Sequence, residues 1–119
     1  MSRAALDARE ALPLSAATFH ILLALAGGER HGYGVIKEVE AQTGGTVKLG
    51  PGTLYRLIKQ LQTDGWISEV AGDDDDDERR RYYRLTPRGR RIAQAEAQRL
   101  ENLVRVARAR RLLPSPASA

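Results

Sequence analysis

Apolar residues recur at helical spacing three times along the first half of the chain. Ser15 stands as an N-cap ahead of Ala16 to Ala26, where Ile21, Leu22 and Leu25 mark a core face and Gly27-Gly28 stops the run. A second short helix is expected over Tyr33 to Thr43, with Tyr33, Ile36 and Val39 on one face, Glu40 at its margin and Gly44-Gly45 as terminator. After the loop Thr46 to Gly50, Pro51 occupies the first turn of a third helix. Leu54, Leu57, Ile58 and Leu61 repeat there at three- and four-residue steps until Asp64-Gly65. The period then shortens. Trp66 to Val70 and Arg81 to Leu85 are rich in aromatic and branched residues and flank a polar run of Gly and Asp, which predicts a β-hairpin with Trp66 as a lid on the core. Thr86-Pro87 opens a last helix, from Arg88 to about Leu112, and Pro114-Ser115-Pro116 ends it.

Three helices followed by a hairpin is the order of a winged helix-turn-helix, so the expected fold is mainly α with a small β-hairpin, an α+β class. The expected organisation is an N-terminal arm over 1–13, a winged helix-turn-helix domain over 14–86, a C-terminal dimerisation helix over 87–113 and a disordered tail over 114–119. At roughly 1.5 Å per residue the last helix would run about 38 Å, longer than the body built by the rest. Its stripe of Ala93, Ala97, Leu100, Leu103, Val104 and Ala107 is apolar but mostly small, which suits close packing against a partner helix. A second copy of the chain is the simplest partner, so a homodimer is expected.

Length and charge sharpen this picture. At 119 residues the chain has room for one ordinary domain. It contains no cysteine, which excludes disulfides, thiolate metal sites and cysteine nucleophiles. The longest apolar run, Ile21 to Ala26, is too short to span a bilayer, and Met1 to Glu10 mixes charge signs where a signal peptide would be apolar. A soluble cytoplasmic protein with no membrane partner is expected. The net charge of +4 hides a division: Met1 to Glu78 carries 7 basic and 13 acidic residues, Arg79 to Ala119 carries 12 and 2. That asymmetry points to a polyanion, here double-stranded DNA. His20 and His31 lack metal-ligand spacing, no nucleophile elbow or phosphate-cradling loop is present, and consecutive aspartates in Asp73 to Glu78 point apart. No enzyme activity, metal or cofactor is therefore expected. The acidic run reads as a solvated wing tip that repels phosphate.

On the third helix Thr53, Arg56, Lys59 and Gln60 lie off the core stripe, and a recognition helix reads base edges with its first turns. Tyr55 borders that stripe, where core packing and a phosphate hydrogen bond are both open. Arg79, Arg80 and Arg81 begin the second hairpin strand, where guanidinium groups reach phosphates or a narrow minor groove. Alternation sends one of Tyr82 and Tyr83 inward with Leu85 and the other outward with Arg84. Tyr33 is counted with the DNA-contacting residues as well.

Four segments together resemble PadR-type transcriptional regulators: His31-Gly32-Tyr33-Gly34, Gly50-Pro51-Gly52-Thr53-Leu54-Tyr55, Asp64-Gly65-Trp66-Ile67, and Arg79 to Gly89. The resemblance covers about Leu14 to Leu112, and the single terminal helix is similar to the short-chain branch of that family. It implies a homodimeric winged-helix repressor that reads a pseudo-palindromic operator and is released by a small molecule. Two features depart from the family: Gly50 stands where serine is frequent, and the five-aspartate wing tip is unusual. The terminal helix lacks an aromatic on which planar ligands would stack, which leaves a small apolar effector or none. The rival readings are a winged-helix protein-interaction module and a non-specific architectural DNA-binding protein.

Overall fold

In the computed structural model, residues 8–70 and 81–115 are described. The first core helix, α1 (Ala16–Ala26), is capped by Ser15, whose hydroxyl accepts the Thr18 amide at 3.1 Å. It is apolar nearly all round, as a central helix must be. Ile21, Leu22, Ala24 and Leu25 are buried against the helices and sheet that follow. Residues 8–10 ahead of it are helical and Ala8 lies in the core, so from Ala8 onward the N-terminal segment packs on the body.

A two-residue strand, β1 (Arg30–His31), leads into α2 (Gly32–Gln42). The buried residues of α2 are Gly32, Val35 and Val39, with Ile36 half-buried. Tyr33, expected on the core face, is instead 58% exposed, because Val35 and Val39 sit four apart and turn Tyr33 outward. Helix α3 (Pro51–Thr63) buries Leu54, Ile58 and Leu61 and half-buries Leu57, the stripe read from spacing. Strands β2 (Ile67–Val70) and β3 (Tyr82–Leu85) form the hairpin, with Trp66 just ahead of β2 and half-buried against the core. The hairpin has a third member: β1 pairs antiparallel with β3, giving the order β1-β3-β2 with Arg30 opposite Tyr83 and His31 opposite Tyr82. Tyr83 points into the core, while Tyr82 and Arg84 face outward.

Helix α4 (Pro87–Ala109) is 23 residues long, about 34 Å. It stops three residues short of the expected Leu112. The Leu112 amide donates to the Ala107 carbonyl and the Arg111 amide to that of Arg108, with Arg111 in a left-handed conformation at φ 62°. This is a Schellman ending with arginine where glycine is usual. The end of α3 has the same form with its glycine in place: Gly65 at φ 77°, its amide bonded to Gln62 and the Trp66 amide to Leu61.

The two helices meet at one joint. Thr86 caps α4 by accepting the Gly89 amide at 3.0 Å, and its hydroxyl donates to the Gly65 carbonyl at 2.6 Å. Its own amide donates to the Trp66 carbonyl at 3.1 Å. A β-carbon on Gly89 would lie 1.9 Å from that same carbonyl oxygen, so only glycine fits. Farther along, α4 buries Ile92, Ala93 and the carboxylate of Glu96, which is 2% exposed. Glu96 accepts the Leu14 amide at 2.8 Å and the Arg99 Nε–H. The Arg99 guanidinium holds this carboxyl below the ordinary value of 4.5; burial pulls it upward, and the Leu14 amide adds to the lowering.

Two outcomes follow from these contacts. Gly89→Ala must push backbone against backbone, so we expect a loss of about 3 kcal/mol and a fall in Tm of roughly 10 to 20 °C by circular dichroism; an unchanged Tm would show that the joint yields. Because the folded-state pKa of Glu96 is depressed, its contribution is present above the unfolded value of 4.5 and lost as pH falls through the lower folded value. Glu96→Gln should cost about 2 kcal/mol in urea unfolding at neutral pH, and its deficit relative to the parent should shrink below pH 4.5.

Candidate nucleic-acid interface

Helix α3 begins without a side-chain cap. Gly50 offers no acceptor, Pro51 has no N–H, and the amides of Gly52 and Thr53 precede the first intrahelical bond, from Leu54 to Gly50. The end of the helix that carries partial positive charge is thus left open to an anion. Thr53, Arg56 and Lys59 are exposed on the side opposite Leu54, Ile58 and Leu61. Neither Arg56 nor Lys59 has an ion-pair partner among the described residues, which leaves both cations available. Gln60, on the same side, is engaged: its amide nitrogen donates to both Asp64 carboxylate oxygens, at 3.1 and 3.2 Å.

Tyr55 is 43% exposed and closes against the start of α2. A β-carbon on Gly32 would lie 2.6 Å from the Tyr55 hydroxyl and 2.9 Å from its ring, so the hydroxyl end of the tyrosine abuts that glycine. Beside it the first turn of α2 carries an aromatic patch. His31 caps α2 through Nδ1, which accepts the Gly34 amide at 2.8 Å. Its ring stacks on Tyr33 with centroids 6.4 Å apart and meets Tyr82 edge-on at 5.5 Å. Lys37 Nζ lies 5.2 Å from the centre of the Tyr33 ring, a cation–π contact. Tyr33, Tyr55 and Tyr82, from α2, α3 and β3, therefore lie about residues 31–33 at the start of α2, with Lys37 beside Tyr33. Lys37 and the role of His31 beyond its turn were not visible in the sequence; the i, i+4 step from Tyr33 to Lys37 was the available signal.

Arg81 pairs with Glu69 across the hairpin at 3.1 Å. Arg79, Arg80 and the acidic run Asp73 to Glu78 lie outside the described residues. On α4, Ala93 is part of the chain's own core, Leu100 and Ala107 are half-buried, and Ala97, Leu103 and Val104 are exposed. Val106, Leu112 and Leu113, outside the expected stripe, are exposed too. An open groove of about 490 Å³ runs between residues 9–13 and α4, lined by Leu12, Pro13 and Ala95 with Arg9, Gln98, Arg99 and Asn102.

The close contact between Gly32 and Tyr55 generates a discriminating prediction. The obstructing atom is the far end of an exposed side chain, so Gly32→Ala should change Tm by no more than about 3 °C while displacing Tyr55. Affinity for a DNA duplex should fall about fivefold, measured by fluorescence anisotropy, as for the loss of one phosphate hydrogen bond. A large loss of stability would mean that Tyr55 is a core residue instead.

Residues 21–95 match the model of the transcriptional regulator PadR-like family. Among solved structures, a transcriptional regulator from Clostridium thermocellum superposes with a TM-score of 0.66 at 25% identity, covering 82% of this chain and 97% of the other. A PadR family transcription regulator from Clostridium difficile gives 0.66 at 21% identity, with 80% and 97% covered. Bacillus subtilis PadR, solved in complex with operator DNA, gives 0.59 at 23% identity, with 74% of this chain and 48% of that one covered. No curated protein sequence matches the chain.

Proposed function

The chain belongs to the PadR-like family of transcriptional regulators, and from that premise we propose that it acts as a homodimeric repressor, bound to a pseudo-palindromic operator and released by a small apolar effector. It is a DNA-binding regulator and not an enzyme. The observation that carries the reading is on α3: one side is core, and the other presents Thr53, Arg56 and Lys59 with both cations unpaired among the described residues. Under this reading Thr53 and Arg56 meet base edges. Lys59, Tyr33, Tyr55 and the arginines Arg79, Arg80 and Arg81 hold the backbone.

Support for two copies comes from α4. The face that buries Ile92, Ala93 and Glu96 continues as Leu100, Leu103, Val104 and Ala107, and Leu103 is 55% exposed. Apolar side chains that repeat on one helical face beyond the body of the domain are stabilised by a second such helix. A dimer joined there would set the separation of two recognition helices and hence the spacing of two half-sites. The open groove beside α4, where Leu12, Pro13 and Ala95 lie among Arg9, Gln98, Arg99 and Asn102, is the place to look for an effector.

The test is selection of bound duplexes from a random pool, with the protein sedimenting at twice the chain mass. An enriched inverted repeat is expected, and Arg56→Ala should relax base preference within each half-site by about tenfold while Arg80→Ala weakens all duplexes alike. Binding without base preference would fit an architectural protein. No binding even at low salt would fit a protein-interaction module.

A further inference from the structure

The aromatic patch at the start of α2 is built around one residue. His31 is fixed twice: Nδ1 accepts the Gly34 amide at 2.8 Å, and its backbone sits opposite Tyr82 in the β1–β3 ladder. With Nδ1 an acceptor, the ring proton resides on Nε2 and the imidazole plane is set. Against that plane Tyr33 of α2 stacks, 17° from parallel, while Tyr82 of β3 meets it at 72°. Tyr33 and Tyr82 are 58% and 40% exposed, too exposed for the core to hold their rings. Lys37 adds its ammonium over the Tyr33 ring. What orders these side chains is thus the imidazole, which touches one residue of the helix-turn-helix and one of the wing.

We propose that His31 is a positioning residue for DNA: its ring holds Tyr33 and Tyr82 at a fixed separation, so that helix and wing engage the sugar-phosphate backbone as one surface. This rests on the DNA-binding reading above. Backbone contacts carry no sequence information, so the effect is visible on any duplex. A His31 without such a role would serve only as the helix cap, and that function needs an acceptor but no ring.

The experiment separates cap from ring. Asn is among the best N-cap residues, so His31→Asn retains the acceptor for the Gly34 amide and deletes the stacking surface. Binding is measured by anisotropy with a labelled random-sequence duplex at low ionic strength, where backbone contacts dominate. The variant is expected to melt within about 3 °C of the parent yet bind about fivefold more weakly, the scale of one aromatic contact. Tyr33→Phe, which keeps the stack and removes the hydroxyl, should lose a similar factor. The double variant should lose less than the product of the two single factors, because His31 acts in part through Tyr33. His31→Ser, which also offers a cap acceptor and lacks the ring, carries the same expectation and decides the matter if His31→Asn folds poorly. Parent-like affinity in these ring-contact variants, or losses that multiply in the double variant, would overturn the proposal while leaving DNA binding intact. A parent protein with no affinity for any duplex would remove the DNA reading and this inference with it.

Discussion

At Gly89 the first turn of α4 lies so close to the Trp66 carbonyl that no β-carbon fits between them. Three structural decisions meet at that point. The Schellman ending of α3 supplies the Gly65 and Trp66 carbonyls; Thr86 binds both, through its hydroxyl and its amide; and Thr86 then caps α4 through the Gly89 amide. The strand β2 starts one residue after Trp66. Carbonyls at a helix end would otherwise need water or another partner, and here the next helix provides it. Because every bond in the joint involves backbone, it leaves little freedom for α4 to pivot on α3. In a dimer joined through α4, the orientation of each recognition helix would be referred to the other through this joint.

Helix α4 divides by what lies under it. Over its first three turns the inward face meets α1, and there Glu96 supplies the acceptor that the amide before the Ser15 cap needs. A buried carboxylate is costly unless its oxygens are occupied, and the Leu14 amide and Arg99 occupy them. It ties the entrance of α1 to the middle of α4. Past Leu100 the same face carries no acid and turns outward as Leu103 and Val104. The change from a face with a polar clamp to a purely apolar one marks where the chain's own body ends.

Much of this was legible in the chain. The core stripe of α3, the Ser15 and Thr86 caps, and the hairpin follow from spacing and turn chemistry acting locally. What was not legible depends on distant partners or on very short elements. Two residues of β1 cannot display a period, so Arg30 and His31 gave no sign of pairing with β3. Glu96 sits at the right step from Ile92 to be buried, yet its partner amide is 82 residues away. An aromatic ahead of Ile36 and Val39 suggests a core position for Tyr33, whereas Val35 sets the true face. For the candidate interface, residue types pointed to Arg56 and Thr53, whereas the grouping of Tyr33, Lys37, Tyr55 and Tyr82 required the fold.

The shortest strand also does the most to join the parts. A wing made of β2 and β3 alone would be a two-stranded ribbon, which is marginal in water. Pairing β1 to β3 gives it a third strand and connects it to both neighbouring helices. Arg30 donates to the Ala24 carbonyl near the end of α1 at 2.9 Å and reaches Glu38 on α2 at 3.5 Å, while His31 caps α2. The surface ion pair contributes little by itself, but the bond to the carbonyl fills an acceptor that the end of α1 leaves open. Two adjacent residues therefore register α1, α2 and the wing against one another. The exposed tyrosines of α2 and β3 inherit that registration, so the wing cannot swing away from the helix-turn-helix without breaking the ladder beneath them.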